Sequence, residues 1–314
     1  MCVPAAINVG VDPFDLFGVS PLGKGPSLNQ RFHHIRHLSA NPGKFNVLMM
    51  GTSITGIIDP RVVDEVVPGA RTYNMGFFLA TPSDLLKAAK YLHAHDLLPT
   101  RVIVGVDTFL FVARDPTLRQ QFRFPPEVSQ EWAPNWWLEA TFSSSGSQAV
   151  NKIFDHYSET PSVTFDLERG NYHLPRLYER RSKDPEGHDK SSLAAMAVIA
   201  KEGDLVDSEF NALVELEDFL DKAGVESLWI VKPSSKVLRE TYGMENYLRV
   251  KARVRAKLRG DVVDMTEFEG ISDDPRQWYD MKHFTEEAGG RLMTAALKTS
   301  KIFGGTAKTG EVKR

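Results

Sequence analysis

The sequence predicts an α/β protein, a three-layer sandwich in which a mostly parallel five-stranded sheet carries helices on both faces. Two observations lead there. Short apolar runs of strand length recur along the chain, bounded by glycine or polar residues, and amphipathic stretches of helical length separate most of them. Alternation of that kind selects parallel strands joined by helical crossovers. No repeat at solenoid or propeller period offers another architecture.

Taken in order, residues 2–11 are apolar and lack the basic start of a signal peptide. Two readings stay open for them, an N-terminal strand or the tail of a membrane anchor. Residues 12–44, rich in Pro, Gly, Asn and His, read as an irregular lead-in. The run 45–50 stops at Gly51 and suits a buried strand. A short helix opened by Pro60 follows over 60–67, then a second strand over 70–75. Residues 82–95 form an amphipathic helix that Ser83 and Asp84 help to start, and 101–106 a third strand. The rhythm then breaks. From 113 to 192 there are aromatics, prolines and charges without a period, including Trp132, Trp136, Trp137, Tyr157, Tyr172 and Tyr178, and the segment reads as a large insertion or lid. Regularity returns with a helix over 207–223 closed by Gly224, a strand over 227–232 and a basic helix over 245–258 closed by Gly260. A fifth strand over 261–265 and a helix over 285–299 complete a domain spanning 45–303, and the Gly/Thr/Lys-rich tail 304–314 is expected to fray.

With 42% hydrophobic and 25% charged residues over 314 positions, the chain has the composition of an ordinary packed domain. A formal charge of −3 gives no pull toward nucleic acid or anionic lipid. The single cysteine, Cys2, excludes an internal disulfide framework and a cysteine-based zinc site. No apolar run reaches the roughly 18 residues a membrane span requires.

In open parallel sheets ligands bind beyond the carboxyl ends of the strands, so those ends carry the functional reading. The first strand ends in Gly51-Thr-Ser53-Ile-Thr-Gly56. A serine on a tight strand-to-helix turn exposes its Oγ and its N–H; alternatively it caps a short helix. The second strand ends in Asn74-Met-Gly76, where a glycine lets a substrate approach the backbone N–H or simply makes a turn. The third ends in Gly105-Val-Asp107, with Asp107 read as capping the following turn or facing the site. After the last strand stands Asp280-Met-Lys-His283. An Asp three residues before a His can accept the imidazole Nδ1–H and leave Nε2 facing a serine.

These four blocks, in this order, resemble the blocks of the SGNH (GDSL) hydrolase superfamily, and they span about 45 to 298. The opening Val11-Asp-Pro-Phe-Asp-Leu-Phe17, followed by a Gly-x-Ser strand, also looks like bacterial membrane-anchored members, which more distantly resemble proteins that O-acylate cell-surface polysaccharides. The resemblance implies a flavodoxin-like fold with Ser53 as nucleophile, His283 as general base and Asp280 as its orienter. It places the N–H groups of Ser53 and Gly76 in an oxyanion hole. It favours a missing anchor and an extracytoplasmic, periplasmic or cell-envelope site; without an anchor the chain is cytoplasmic. Two positions depart from the family. Thr52 stands where the family name has aspartate, and Asp107 stands where an asparagine usually donates to the oxyanion. An ionised carboxylate has no donor and repels the developing charge. Either Asp107 is protonated, or it turns away and another donor such as Asn74 takes over.

Other motifs lack their mechanism. Gly18-Val-Ser-Pro-Leu-Gly-Lys24 has P-loop spacing but continues with Gly25, contains Pro21 and follows no strand. His33, His34, His37, His93 and His95 have no carboxylate or cysteine partner in view and read as solvated, so no metal and no cofactor is expected. The basic face of 251–259 reads as solvated or as contacting an anionic surface. The expected function is ester hydrolysis or O-acyl transfer, on a cell-surface carbohydrate, with the aromatic segment as a sugar- or acyl-binding wall. The rival is a non-catalytic polysaccharide-binding or assembly protein that keeps the fold without the oxyanion donor.

Overall fold

A computed structural model describes residues 3–111, 121–184, 186–187, 190, 206–242, 244–280 and 282–304. Cys2, the tail beyond 304 and parts of the 113–192 segment lie outside the described residues. The strands are β1 (Val47–Gly51), β2 (Thr72–Gly76), β3 (Arg101–Val106), the short β4 (Thr164–Phe165) and β5 (Tyr172–His173), then β6 (Glu226–Val231) and β7 (Asp261–Asp264). Among the described residues, five of them build a parallel sheet in the order β2-β1-β3-β6-β7, while β4 and β5 pair antiparallel as a separate hairpin.

Strand β1 is buried along its whole length. Its side chains alternate, Val47 and Met49 packing on one face of the sheet and Leu48 and Met50 on the other. A central strand covered on both sides therefore reads as a continuous apolar run rather than as alternation. One face is covered by the helices Gln30–Ala40, Pro82–Ala94, Asp207–Lys222 and Met244–Lys257, the other by Ser53–Gly56, Arg61–Val66 and Glu286–Thr299. From β1 the chain winds outward to β2, then crosses back to β3 on the other side. The reversal opens a crevice at the carboxyl ends of β1 and β3. The helix Pro82–Ala94 starts at Thr81, not Ser83: Thr81 and Asp84 form a reciprocal capping box.

Three local expectations change. The N-terminal apolar stretch is a helix, Val3–Gly10, not a strand, and its buried Asn8 donates to the carbonyls of Ala140, Thr141 and Ser143. The lead-in is not irregular throughout, because Asn29 caps the helix Gln30–Ala40, whose Phe32, Ile35 and Leu38 are buried. Its polar and histidine-rich composition conceals that face. The described part of 113–192 is ordered: helices Ala133–Phe142 and Gly146–His156 dock on the N-terminal segment, with Trp136 fully buried and stacked on Phe32. No helix among the described residues is long and apolar enough to cross a membrane.

A buried charge clamps these two segments together. Lys152, 0% exposed, donates to the Asp12 carbonyl at 2.8 Å and to Asp15 Oδ1 at 2.7 Å. Burial raises the Asp15 carboxyl above its usual range, against the opposing pull of Lys152. Lys152→Ala strips Asp15 of its main cation and is expected to lower stability by about 3–5 kcal/mol. Denaturant unfolding measures this, and a loss below about 1 kcal/mol would count against the clamp.

Candidate active site

Ser53 stands one residue beyond the end of β1, after Thr52, as the first residue of the one-turn helix Ser53–Gly56. The turn begins at Gly51, whose φ of 154° and close surroundings exclude a side chain: a Cβ there would stand 2.1 Å from Thr55 Oγ1 and 2.9 Å from the Gly105 carbonyl. Thr52 caps the helix, its Oγ1 accepting from the Ile54 N–H at 3.2 Å. Ser53 is left half-buried at the mouth of the crevice.

His283 and Asp280 come from the loop that precedes the last helix. The chain doubles back there, with the Tyr279 N–H donating to the His283 carbonyl at 2.7 Å and the Thr285 N–H to the Gln277 carbonyl at 2.7 Å. Thr285 then caps Glu286–Thr299. His283 Nε2 lies 2.9 Å from Ser53 Oγ, and Nδ1 lies 2.8 Å from Asp280 Oδ2. A carboxylate only accepts, so Nδ1 carries the hydrogen and Nε2 offers its lone pair to the serine. Asp280 Oδ1 accepts from the N–H groups of Lys282 and His283, both at 2.7 Å. Burial alone would raise the Asp280 carboxyl; the His283 charge and these hydrogen bonds outweigh it and hold the group well below the usual carboxylate range. The structure thus joins Ser53, His283 and Asp280 in one hydrogen-bonded chain.

The remaining expected oxyanion groups are committed elsewhere. Asn74 Nδ2 donates to the carbonyls of Thr55 and Ile58, both at 2.8 Å, and Asn74 Oδ1 accepts the Gly76 N–H at 3.0 Å. Asn74 therefore fastens the serine turn onto β2, and Gly76 is small because a Cβ would meet Gly56 N at 2.5 Å. Asp107 does cap the turn after β3, Oδ1 accepting from the Phe109 N–H at 3.0 Å. Its other oxygen is engaged within the protein as well, Oδ2 accepting from Thr52 Oγ1 at 2.6 Å and pairing with Lys232 Nζ at 3.0 Å. The Ser53 N–H stands at the first helical position, where no intrahelical acceptor exists.

Two contributors escape the sequence reading. Lys232, 2% exposed, is the charged end of an otherwise apolar strand run, which is the signal that marks it. Tyr172, fully buried on the β4–β5 hairpin, donates to the Ser53 carbonyl at 2.6 Å; nothing local in the sequence announces that contact. Near the mouth, Tyr178 is 62% exposed and meets Tyr279 edge-on at 6.0 Å between ring centroids.

Among the described residues no group of three or more His, Cys, Asp or Glu side chains is arranged to hold a metal. His33 and His34 are not solvated. His34 is buried against Tyr73, and burial, helped by His33 and His37, pushes it down to about 3; burial and Lys24 bring His33 to about 4. The basic face of 251–259 is engaged within the chain: Lys251 and Arg255 each reach Asp264 at 3.5 Å, and Arg253 reaches Asp207 at 2.6 Å.

No protein-family model and no curated protein matches the sequence. Among solved structures, the chain is similar to a GDSL-like lipase from Bacteroides thetaiotaomicron, with 11% identity over 84% of this chain and 93% of the other and a TM-score of 0.40. It is also similar to a presumed acylhydrolase from Bacteroides fragilis, with 14% identity over 91% of this chain and 100% of the other and a TM-score of 0.42.

The low Asp280 carboxyl fixes the sign of a pH effect. A carboxyl whose folded value lies below its ordinary 3.8 stabilises the fold above that value and loses this contribution as pH falls through the folded one. The difference in melting temperature between wild type and Asp280→Asn is expected to shrink as pH falls below about 4. Thermal melts at a series of pH values test it; a gap that widens toward pH 3 would reverse the assignment.

Proposed function

We propose that the chain is a serine-dependent acyl-ester hydrolase or O-acyltransferase that works through Ser53, His283 and Asp280. The observation carrying this reading is the continuous Asp280–His283–Ser53 contact at 2.8 and 2.9 Å, at the carboxyl end of β1 where the winding of the strands reverses. His283 Nε2 takes the Ser53 proton as Oγ attacks an ester carbonyl, then returns it to the departing alcohol. The acyl group stays on Ser53 until water, or an acceptor hydroxyl deprotonated by the same Nε2, removes it. Asp280 holds the imidazole in the required tautomer and stabilises its protonated form. The Ser53 N–H is one donor to the oxyanion.

A carboxylate at Asp107 that is paired with Lys232 and filled by two further donors does not oppose the oxyanion as a bare charge would. Trp136 and Tyr172 are core residues, whereas Tyr178, lying on Tyr279 beside Asp280, presents a ring that can stack on a sugar.

A fluorophosphonate probe is expected to label wild type and not Ser53→Ala, with Ser53→Ala also losing turnover of nitrophenyl acetate while keeping its melting temperature. Equal hydrolysis by the two proteins would remove Ser53 as nucleophile. Asp280→Asn should lower kcat about 10³- to 10⁴-fold. For an acetylated oligosaccharide, Tyr178→Ala should raise KM several-fold and leave nitrophenyl acetate kinetics unchanged; equal KM values on the sugar would take Tyr178 out of substrate binding.

A further inference from the structure

Beneath the serine turn lies a buried cluster that the proton-transfer chain does not use. The Lys232 N–H donates to the Val106 carbonyl at 2.8 Å, extending the β3–β6 ladder by one residue and bringing the side chain beside the end of β3. Its Nζ reaches Thr55 Oγ1 at 2.8 Å and Asp107 Oδ2 at 3.0 Å. Asp107 in turn accepts from Thr52 Oγ1 at 2.6 Å. Thr52 and Thr55 bracket Ser53, one residue before it and two after, so the cation grips one side of the turn and the carboxylate the other. Thr55 Oγ1 also occupies the space that a Cβ on Gly105 would contest at 2.4 Å.

Both charged side chains are almost wholly out of water, Lys232 at 1% and Asp107 at 3% exposed. Apolar residues of similar volume in place of a buried ion pair are often neutral or stabilising, so stability by itself gives no reason for charges here. What charges supply and apolar groups do not is direction, since each fixes the orientation of a threonine hydroxyl.

We propose that Lys232 and Asp107 are positioning residues of the serine turn, holding Ser53 Oγ against His283 Nε2 through Thr55 and Thr52. The kinetic consequence rests on Ser53 being the nucleophile; the geometric consequence does not. A displacement of the nucleophile by about 1 Å is enough to lower the rate about a hundredfold.

Lys232→Met or Asp107→Asn alone leaves a buried group unpaired and destabilises the fold, so two other proteins decide the matter. The double variant Lys232→Met/Asp107→Leu gives a neutral interior of apolar groups and removes the directed contacts. Thr55→Val keeps the charge pair and the Asp107–Thr52 contact and cuts the link from Lys232 to the turn. In both, the melting temperature is expected to stay near wild type while kcat for nitrophenyl acetate falls about ten- to a hundredfold at unchanged KM. The ¹⁵N shift of His283 Nε2 should move toward that of Ser53→Ala. Wild-type kcat and a wild-type His283 shift in both variants would overturn the proposal and leave the pair a space-filling one. If wild type neither hydrolyses the ester nor labels with fluorophosphonate, the hydrolase reading fails on its own, and the His283 shifts still decide whether the pair positions Ser53.

Discussion

The turn after β1 lies so close to the ends of β2 and β3 that van der Waals contact dictates what can surround it. A Cβ at Gly51 would overlap Thr55 Oγ1, and one at Gly76 would overlap the backbone of Gly56. The close approach lets Asn74 reach two carbonyls of the turn and return its own oxygen to the Gly76 N–H. An interior amide that uses both N–H groups and its oxygen leaves nothing buried unsatisfied, and so fixes its neighbours firmly. The half-buried Ser53 thus sits on a rigid support while its hydroxyl faces outward to His283.

Electrostatics then separates two carboxylates with opposite surroundings. Asp280 faces His283 and two N–H groups at the mouth, which keeps it a permanent anion beside the imidazole. Asp107 lies under the turn with Lys232, whose ammonium is lowered by burial and supported by the carboxylate next to it. The first lies beside the His283–Ser53 contact; the second lies beneath the turn, its charge balanced by the ammonium of Lys232.

The aromatic-rich segment has a structural share in this arrangement. Its hairpin runs along the β2 edge, the Asn74 N–H donating to the Arg169 carbonyl at 2.8 Å, and delivers the Tyr172 hydroxyl to the Ser53 carbonyl. Gly170 allows that approach, since a Cβ there would fall 2.0 Å from the Asn74 carbonyl oxygen. A segment of low periodicity thereby braces the turn from the side opposite Lys232, and the buried Lys152–Asp15 pair ties the same segment to the N-terminal region.

The five strands of the sheet and most of the helices covering them are readable from the sequence, because burial on both faces leaves continuous apolar runs and burial on one face leaves the helical period. Asp280 and His283 are readable for a related reason: three residues apart on one loop, their contact is local. Other features of the site are not. Lys232 and Asp107 meet because β3 and β6 are neighbours in the sheet, and Tyr172 reaches Ser53 because a distant hairpin lies along β2. The helix Gln30–Ala40 hides behind histidines that turn inward only once Tyr73 is there to receive one of them. Local sequence carries the backbone period and the preference for leaving water, and these select the elements. Which donor meets which acceptor depends on strand order and close packing, so Asn74, Gly76 and Asp107 acquire their roles only when the chain is assembled.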